Sequence, residues 1–109
     1  MVIYVQAGDT IEYTPAVALP AGAVVVIGDL VGVTTRAIAG NTVGAIVVTG
    51  IFEFPKEHNL AIAAGALCYW DPSAGGATTE SGGGVNKYIG KCVRAAAASD
   101  PTVRIRMDQ

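Results

Sequence analysis

Val103-Arg104-Ile105-Arg106-Met107-Asp108, near the end of a 109-residue chain, alternates without a break. Successive side chains of a β-strand leave opposite faces, so Val103, Ile105 and Met107 fall on one side and Arg104, Arg106 and Asp108 on the other. Such a strand has one buried face and one wet face. Working outward, the same kind of short run, rich in Val, Ile, Thr and Tyr, recurs along the chain. Strands are predicted at Ile3 to Gln6, Thr10 to Tyr13, Val24 to Ile27, Leu30 to Thr35, Val43 to Thr49, Ile51 to Phe54, Leu67 to Asp71, Tyr88 to Arg94 and Val103 to Met107. Many short strands separated by turn residues predict an all-β sandwich or barrel.

Val43 to Val48 is apolar almost throughout, the pattern of a strand covered on both sides, and is expected at the centre of a sheet. Gly8-Asp9 and Gly28-Asp29 each separate two apolar runs and are read as hairpin corners. Asn59 to Ala64 is the one stretch read as a short helical turn, with Asn59 as N-cap and Gly65 as the stop, plugging an open barrel end. Pro72 to Gly84, dominated by Gly, Ser, Ala and Thr, is read as a flexible surface hairpin tip. An echo runs through the chain: Ala21-Gly22-Ala23 ahead of Arg36-Ala37, and Ala64-Gly65-Ala66 ahead of Arg94-Ala95. Two half-barrels would produce it, but low-complexity Ala/Gly usage is the reading we give it.

Length and composition set limits. A chain of this size is expected to be a single domain over residues 1–109. The hydrophobic fraction is 51%, yet with one Trp, two Phe and four Tyr the core is expected to be thin and built from Val, Ile and Leu. A formal net charge of −2 gives no long-range attraction to nucleic acid or to anionic membranes. The longest apolar stretch, Ala37 to Ile51, contains Asn41 and three glycines before Ile51 and falls short of the roughly 18 to 20 residues that span a bilayer. Met1 leads straight into Val2-Ile3-Tyr4-Val5 without a basic n-region, so synthesis and folding in a cytoplasm are expected. Cys68 and Cys92 lack a partner cluster and are read as two small buried thiols, able to pair only if their strands are neighbours.

Candidate chemistry is sparse. His58 is the sole histidine; with Glu53 and Glu57 it could in principle ligate a metal, but the residues follow a strand through a Pro55 corner, and a solvated charged loop accounts for them. Asp9, Asp29, Asp71 and Asp100 adjoin Gly or Pro at turns, where a short carboxylate bonds back to its own backbone. Gly82-Gly83-Gly84 lacks the Lys-Ser/Thr of a phosphate loop. No catalytic, cofactor-binding or metal-binding residue is assigned, and no cofactor. Lys87, Lys91, Arg94, Arg104 and Arg106 lie in the last quarter, where neighbouring strands would bring them to one face: a solvated face first, then a docking surface for an acidic partner, and last one for single-stranded nucleic acid, which would also want exposed aromatics to stack bases. Tyr69 and Trp70 are read first as core and second as interface anchors.

Taken in order, several blocks carry a likeness. They are Val5-Gln6-Ala7-Gly8-Asp9-Thr10-Ile11-Glu12-Tyr13-Thr14, Gly28-Asp29-Leu30-Val31-Gly32-Val33, Thr49-Gly50-Ile51-Phe52-Glu53-Phe54-Pro55-Lys56, Ala63-Ala64-Gly65-Ala66-Leu67-Cys68-Tyr69-Trp70-Asp71, Tyr88-Ile89-Gly90, Arg94-Ala95-Ala96-Ala97 and Val103-Arg104-Ile105-Arg106. Together they resemble the phage capsid cement, or head-decoration, family, whose members have also been labelled phage recombinases. The resemblance implies a β-barrel or β-tulip domain that binds the outside of an assembled head, usually as a homotrimer. It implies the major capsid protein as partner, the virion surface as location, and no catalysis, nucleic-acid binding or membrane binding. By analogy, Met1 to Tyr13 is expected to act as an arm in which Val2, Ile3, Tyr4, Val5 and Gln6 add a strand to the capsid protein. Tyr69, Trp70, Arg104 and Arg106 are the expected interface residues. The alternatives are a β-barrel binding module for a carbohydrate or peptide, and an enzyme using Glu53, Glu57 and His58.

Overall fold

A computed structural model describes residues 9–109 and has nine strands. They are β1 (Thr10–Tyr13), β2 (Val24–Ile27), β3 (Leu30–Thr34), β4 (Gly44–Val47), β5 (Gly50–Pro55), β6 (Leu67–Asp71), β7 (Gly76–Thr78), β8 (Lys87–Arg94) and β9 (Thr102–Met107). They form two antiparallel sheets, ordered β1-β4-β3-β2 and β5-β9-β8-β6-β7. The predicted strand at Ile3 to Gln6 and the corner at Gly8 lie outside the described residues.

The alternating strand sits inside the larger sheet, paired with β5 on one side and β8 on the other. Val103, Ile105 and Met107 are almost completely buried, and Arg104 and Arg106 are exposed. Burying each apolar side chain stabilises the fold by about 2 kcal/mol relative to exposure. Around them lie Phe54, Cys68, Ala77, Ile89 and Cys92, with Val31 and Val33 of β3 closing the cluster from the smaller sheet. The larger sheet curls until its edges touch at one parallel bridge, Lys56 to Ala77, where the Glu57 N–H donates to the Ala77 carbonyl at 3.0 Å. It does not close into a barrel. β7 is three residues long and meets β5 at that single point, so the expected barrel is instead two open sheets sharing a core.

In the smaller sheet β4 is central, as expected, but it is not covered on both sides. Ile46 and Val48 are buried, whereas Val43 and Ala45 are exposed. Ile46 packs with Val25, Ile38 and Val48 in a second, smaller cluster on the face turned away from the larger sheet, and Ile11, Tyr13, Leu19 and Leu30 pack against it. Gly28-Asp29 makes the expected two-residue corner between β2 and β3. Beyond the end of β4, the Gln109 side-chain amide takes the open place beside β3. Its Oε1 accepts from the Val31 N–H at 2.6 Å, and its Nε2 donates to the Val31 carbonyl.

Two local expectations fail for physical reasons. Asn59 has a left-handed φ of 59° and starts no helix; Ile62 is instead extended and exchanges both backbone hydrogen bonds with Ala96, at 2.9 and 2.8 Å. Pairing with a distant segment, which also buries Ile62, prevails over a helical turn too short to be stable alone. Within Pro72 to Gly84, Gly76–Thr78 forms the buried strand β7, and Gly82–Gly84 forms a 3-10 turn.

The echo in the sequence is structural, not a product of low complexity. In each half a Gly with positive φ, Gly22 at 81° or Gly65 at 85°, enters the first strand of a pair. The Gly22 N–H donates to the Thr34 carbonyl and Thr34 returns its N–H to Ala23; Gly65, Cys92 and Ala66 repeat the arrangement. The Leu19–Ile38 bridge matches Ile62–Ala96, and the Thr42-to-Ala39 hydrogen bond matches Asp100-to-Ala97. Strand orders correspond as well: β1-β4-β3-β2 against β5-β9-β8-β6, with β7 added at one edge.

Cys68 and Cys92 lie on neighbouring strands, both buried and both free. Burial, followed by the nearby Cys92, pushes the Cys68 thiol up to about 11, so it is a packing group and not a nucleophile. Gly90 is the tightest position among the described glycines. It lies opposite Met107 on one side and Cys68 on the other, and a Cβ there would overlap the Arg106 carbonyl oxygen and lie 2.7 Å from the carbonyl carbon. At Gly32 the obstruction is the flexible end of Ile46, 2.5 Å away. Gly90→Ala is therefore expected to cost about 3 kcal/mol or more, because backbone must move, and Gly32→Ala about 1 kcal/mol. Urea midpoints of the two variants, compared with the parent, measure the difference.

Candidate docking face

The outward face of the larger sheet is built by register. Ile51 on β5 lies opposite Arg106 on β9, Arg106 opposite Lys91 on β8, and Lys91 opposite Leu67 on β6. This makes one row across four strands, spanning about 14 Å at the usual strand spacing. A second row holds Glu53, Arg104 and Arg94. Arg94 joins it because a bulge between Cys92 and Arg94 shifts the register of β8 and brings Arg94 opposite Arg104. Phe52 and Phe54 alternate inward from the same strand that sends Ile51 and Glu53 outward.

Two ion pairs cross this face: Arg104 Nη2 to Glu53 Oε1 at 3.3 Å, and Lys91 Nζ to Asp108 Oδ2 at 3.5 Å. Both are solvent-exposed and add little to stability. Arg94 and Arg106 have no carboxylate within salt-bridge distance among the described residues. The four cations exceed the three carboxylates, Glu53, Asp108 and Asp100 at the rim beside Arg94, so the face is net positive in a chain that is net negative. At its end the Tyr88 hydroxyl donates to Asp108 Oδ1 at 2.8 Å. That bond and the nearby Lys91 and Arg106 hold the Asp108 carboxyl below the usual range. Desolvation, then the bond to Asp108, pushes the Tyr88 phenol up to about 12.

The structure brings Arg104 and Arg106 together with Lys91 and Arg94, and it separates them from the aromatic pair. Tyr69 stacks edge-on against Tyr88 at 5.8 Å, and Trp70 packs at 6.3 Å against Phe54 and the main core. Val2 to Gln6, the expected arm, lie outside the described residues. The predicted cluster around Pro55 disperses. Glu53 joins the face, Glu57 accepts from Thr78 Oγ1 at 2.8 Å, and His58 is exposed. Among the described residues no group of three or more His, Cys, Asp or Glu is placed to hold a metal ion. Lys56 is 6% exposed, so the loop is not uniformly solvated. Its ammonium donates to the carbonyls of Glu57 at 3.0 Å, Ala98 at 3.3 Å and Leu60, tying two corners together. Ile51, Leu67 and Val93, the exposed aliphatics of the larger sheet, were missed in the sequence; the inward phase of Phe52 and Phe54 was the available signal for Ile51. A half-open apolar groove of about 350 Å³ between the sheets is lined by Val24, Val33, Phe52, Phe54 and Pro55.

The model of the phage cement protein family matches residues 5–107. The chain belongs to the phage cement protein family. No match was found among curated proteins or among solved structures. The role of this cement protein is therefore at the phage capsid, and its all-β architecture agrees with the expectation drawn from the resemblance. No described helix is long and apolar enough to cross a membrane.

The Tyr88–Asp108 contact gives a direct spectroscopic test. In an ultraviolet titration one tyrosine is expected to ionise near 12, about two pH units above an ordinary phenol. Asp108→Asn removes a negative neighbour, and that late step is expected to move to lower pH.

Proposed function

We propose that this cement protein binds the outer surface of the assembled head, as a homotrimer in contact with the major capsid protein, and reinforces the shell without catalysing a reaction. Membership of the cement family over residues 5–107 carries the reading. The physical logic supports it. A face some four strands wide makes a small interface, below the usual size of a tight one, so a single copy binds weakly. Linking three copies raises the effective concentration of the second and third contacts and makes the assembly tight. The protein is made in the bacterial host and resides on the virion.

The arm remains part of the proposal, with its boundary corrected. Thr10–Tyr13 is the strand β1, paired with β4 through four residues, and Ile11 and Tyr13 pack against the smaller core. Removing Met1 to Tyr13 would therefore take away an integral strand. The proposed arm is confined to the segment ahead of β1, residues 1–8, with Val2, Ile3, Tyr4, Val5 and Gln6 as its contacts.

Co-sedimentation with empty, expanded capsids of the parent phage tests the function. Saturable binding at a stoichiometry matching the capsid lattice is expected, with a trimer by light scattering, and the His58→Ala variant is expected to bind like the parent. Deleting residues 1–8 is expected to weaken binding while leaving the urea midpoint almost unchanged. Parent protein that stays in the supernatant at all concentrations would contradict the cement role, and equal loss of binding and stability on truncation would remove the arm.

A further inference from the structure

We propose that the outward face of the larger sheet is the surface that docks on the capsid, and that it recognises an acidic strip on the capsid subunit flanked by apolar side chains. The inference rests on the cement reading and adds to it the surface and the chemistry of the partner. Three observations converge on this face.

The first is charge. Lys91, Arg94, Arg104 and Arg106 stand together against Glu53, Asp100 and Asp108, while the rest of a chain of net charge −2 carries the excess of carboxylates. A positive face on a negative molecule steers encounters with a negative surface and disfavours random self-contact. Arg94 and Arg106, without salt-bridged carboxylates among the described residues, are free to meet carboxylates from another molecule. The second is apolar exposure. Ile51 at 58% and Leu67 at 48% close the two ends of the row that contains Arg106 and Lys91, and Val93 at 41% lies on the same β8 strand. A purely solvated face has no use for large aliphatics at both ends of a charged row, whereas arginines beside exposed apolar groups suit a binding patch.

The third is topology. β9 and β8, which carry all four cations, are hydrogen-bonded on both sides, so the cations are presented on a sheet face and not along a free backbone edge. These cations are read by a partner's surface and not by strand addition, the mode proposed for the N-terminal segment. The two rows hold cations and aliphatics, and Tyr88 at the end of the face is already engaged, its hydroxyl on Asp108 and its ring against Tyr69; this argues for a protein partner over single-stranded nucleic acid.

Matched charge reversals on the intact protein provide the test. Arg106→Glu and Arg94→Glu alter the face, and Arg36→Glu makes the same change in charge on an exposed loop of the smaller sheet. Binding to empty expanded capsids is measured by co-sedimentation at low and moderate salt, with thermal melting and light scattering as controls on folding and assembly. The expected result is a loss of affinity of about tenfold or more for each face variant, little change for Arg36→Glu, and weaker binding of the parent as salt rises. Ile51→Ser, which leaves charge untouched, is expected to weaken binding without changing its salt dependence. If the parent binds and both face variants bind equally well, this face is not the docking surface and the cement role stands. If the parent does not bind, the cement role itself fails. If the reversals dissociate the oligomer while the remaining protein still binds capsids, the occupant is a second copy of this chain and the proposal is overturned.

Discussion

A single constraint organises this molecule: β9 must keep its two faces apart. Val103, Ile105 and Met107 need a dry environment, and Arg104 and Arg106, one residue out of phase, need a wet one. Because the side-chain period of a strand is two, a slip of one residue would bury the two guanidinium groups and expose the three apolar chains, so the register with β5 and β8 is strongly specified. That register then lines up everything else. It sets Phe52 and Phe54 into the core and Ile51 and Glu53 onto the surface, and it places Gly90 where a close approach to β9 leaves no space for a side chain.

The two-fold repeat explains how so small a chain covers both of its sheets. Each half uses the same frame: a Gly-led first strand, a paired return, a bridge that tucks a corner inward, and a strand running back through the sheet. Chemistry differs where the frame does not. The cleft beneath the first corner is lined by Arg36, Ile38, Thr42, Val43 and Ala45, and its counterpart in the second half by Arg94, Ala96, Asp100, Glu53 and Arg104. Arg36 and Arg94 hold equivalent places, and the second half adds Glu53, Asp100 and Arg104 where the first has no further charge.

Much of this was legible in the sequence because strands whose two faces differ announce themselves. Alternation in Val103 to Asp108, and the short β-rich runs between glycine turns, located the strands from β1 through β6 and β8 and β9 to within a few residues. β7 was not legible, since Gly76-Ala77-Thr78 has no large side chain and becomes a strand only through its pairing with β6. Burial of Lys56 was equally hidden, because three carbonyls from corners distant in sequence satisfy its ammonium. The same is true of Ile62, whose partner Ala96 lies 34 positions further along the chain. For the docking face, composition gave the cations, but their assembly with Ile51 and Leu67 depended on strand order, which no local pattern encodes. The Gly22 and Gly65 echo was visible; its meaning required the matching hydrogen bonds.

The proposed role is mechanical: decoration with this protein is to make the head harder to rupture. Undecorated, DNA-filled heads titrated with the purified protein and heated in the presence of a DNA-binding dye test it directly. The account predicts that the temperature of DNA release rises with occupancy and levels off when the lattice is saturated. Full occupancy with no change in the release temperature would contradict it.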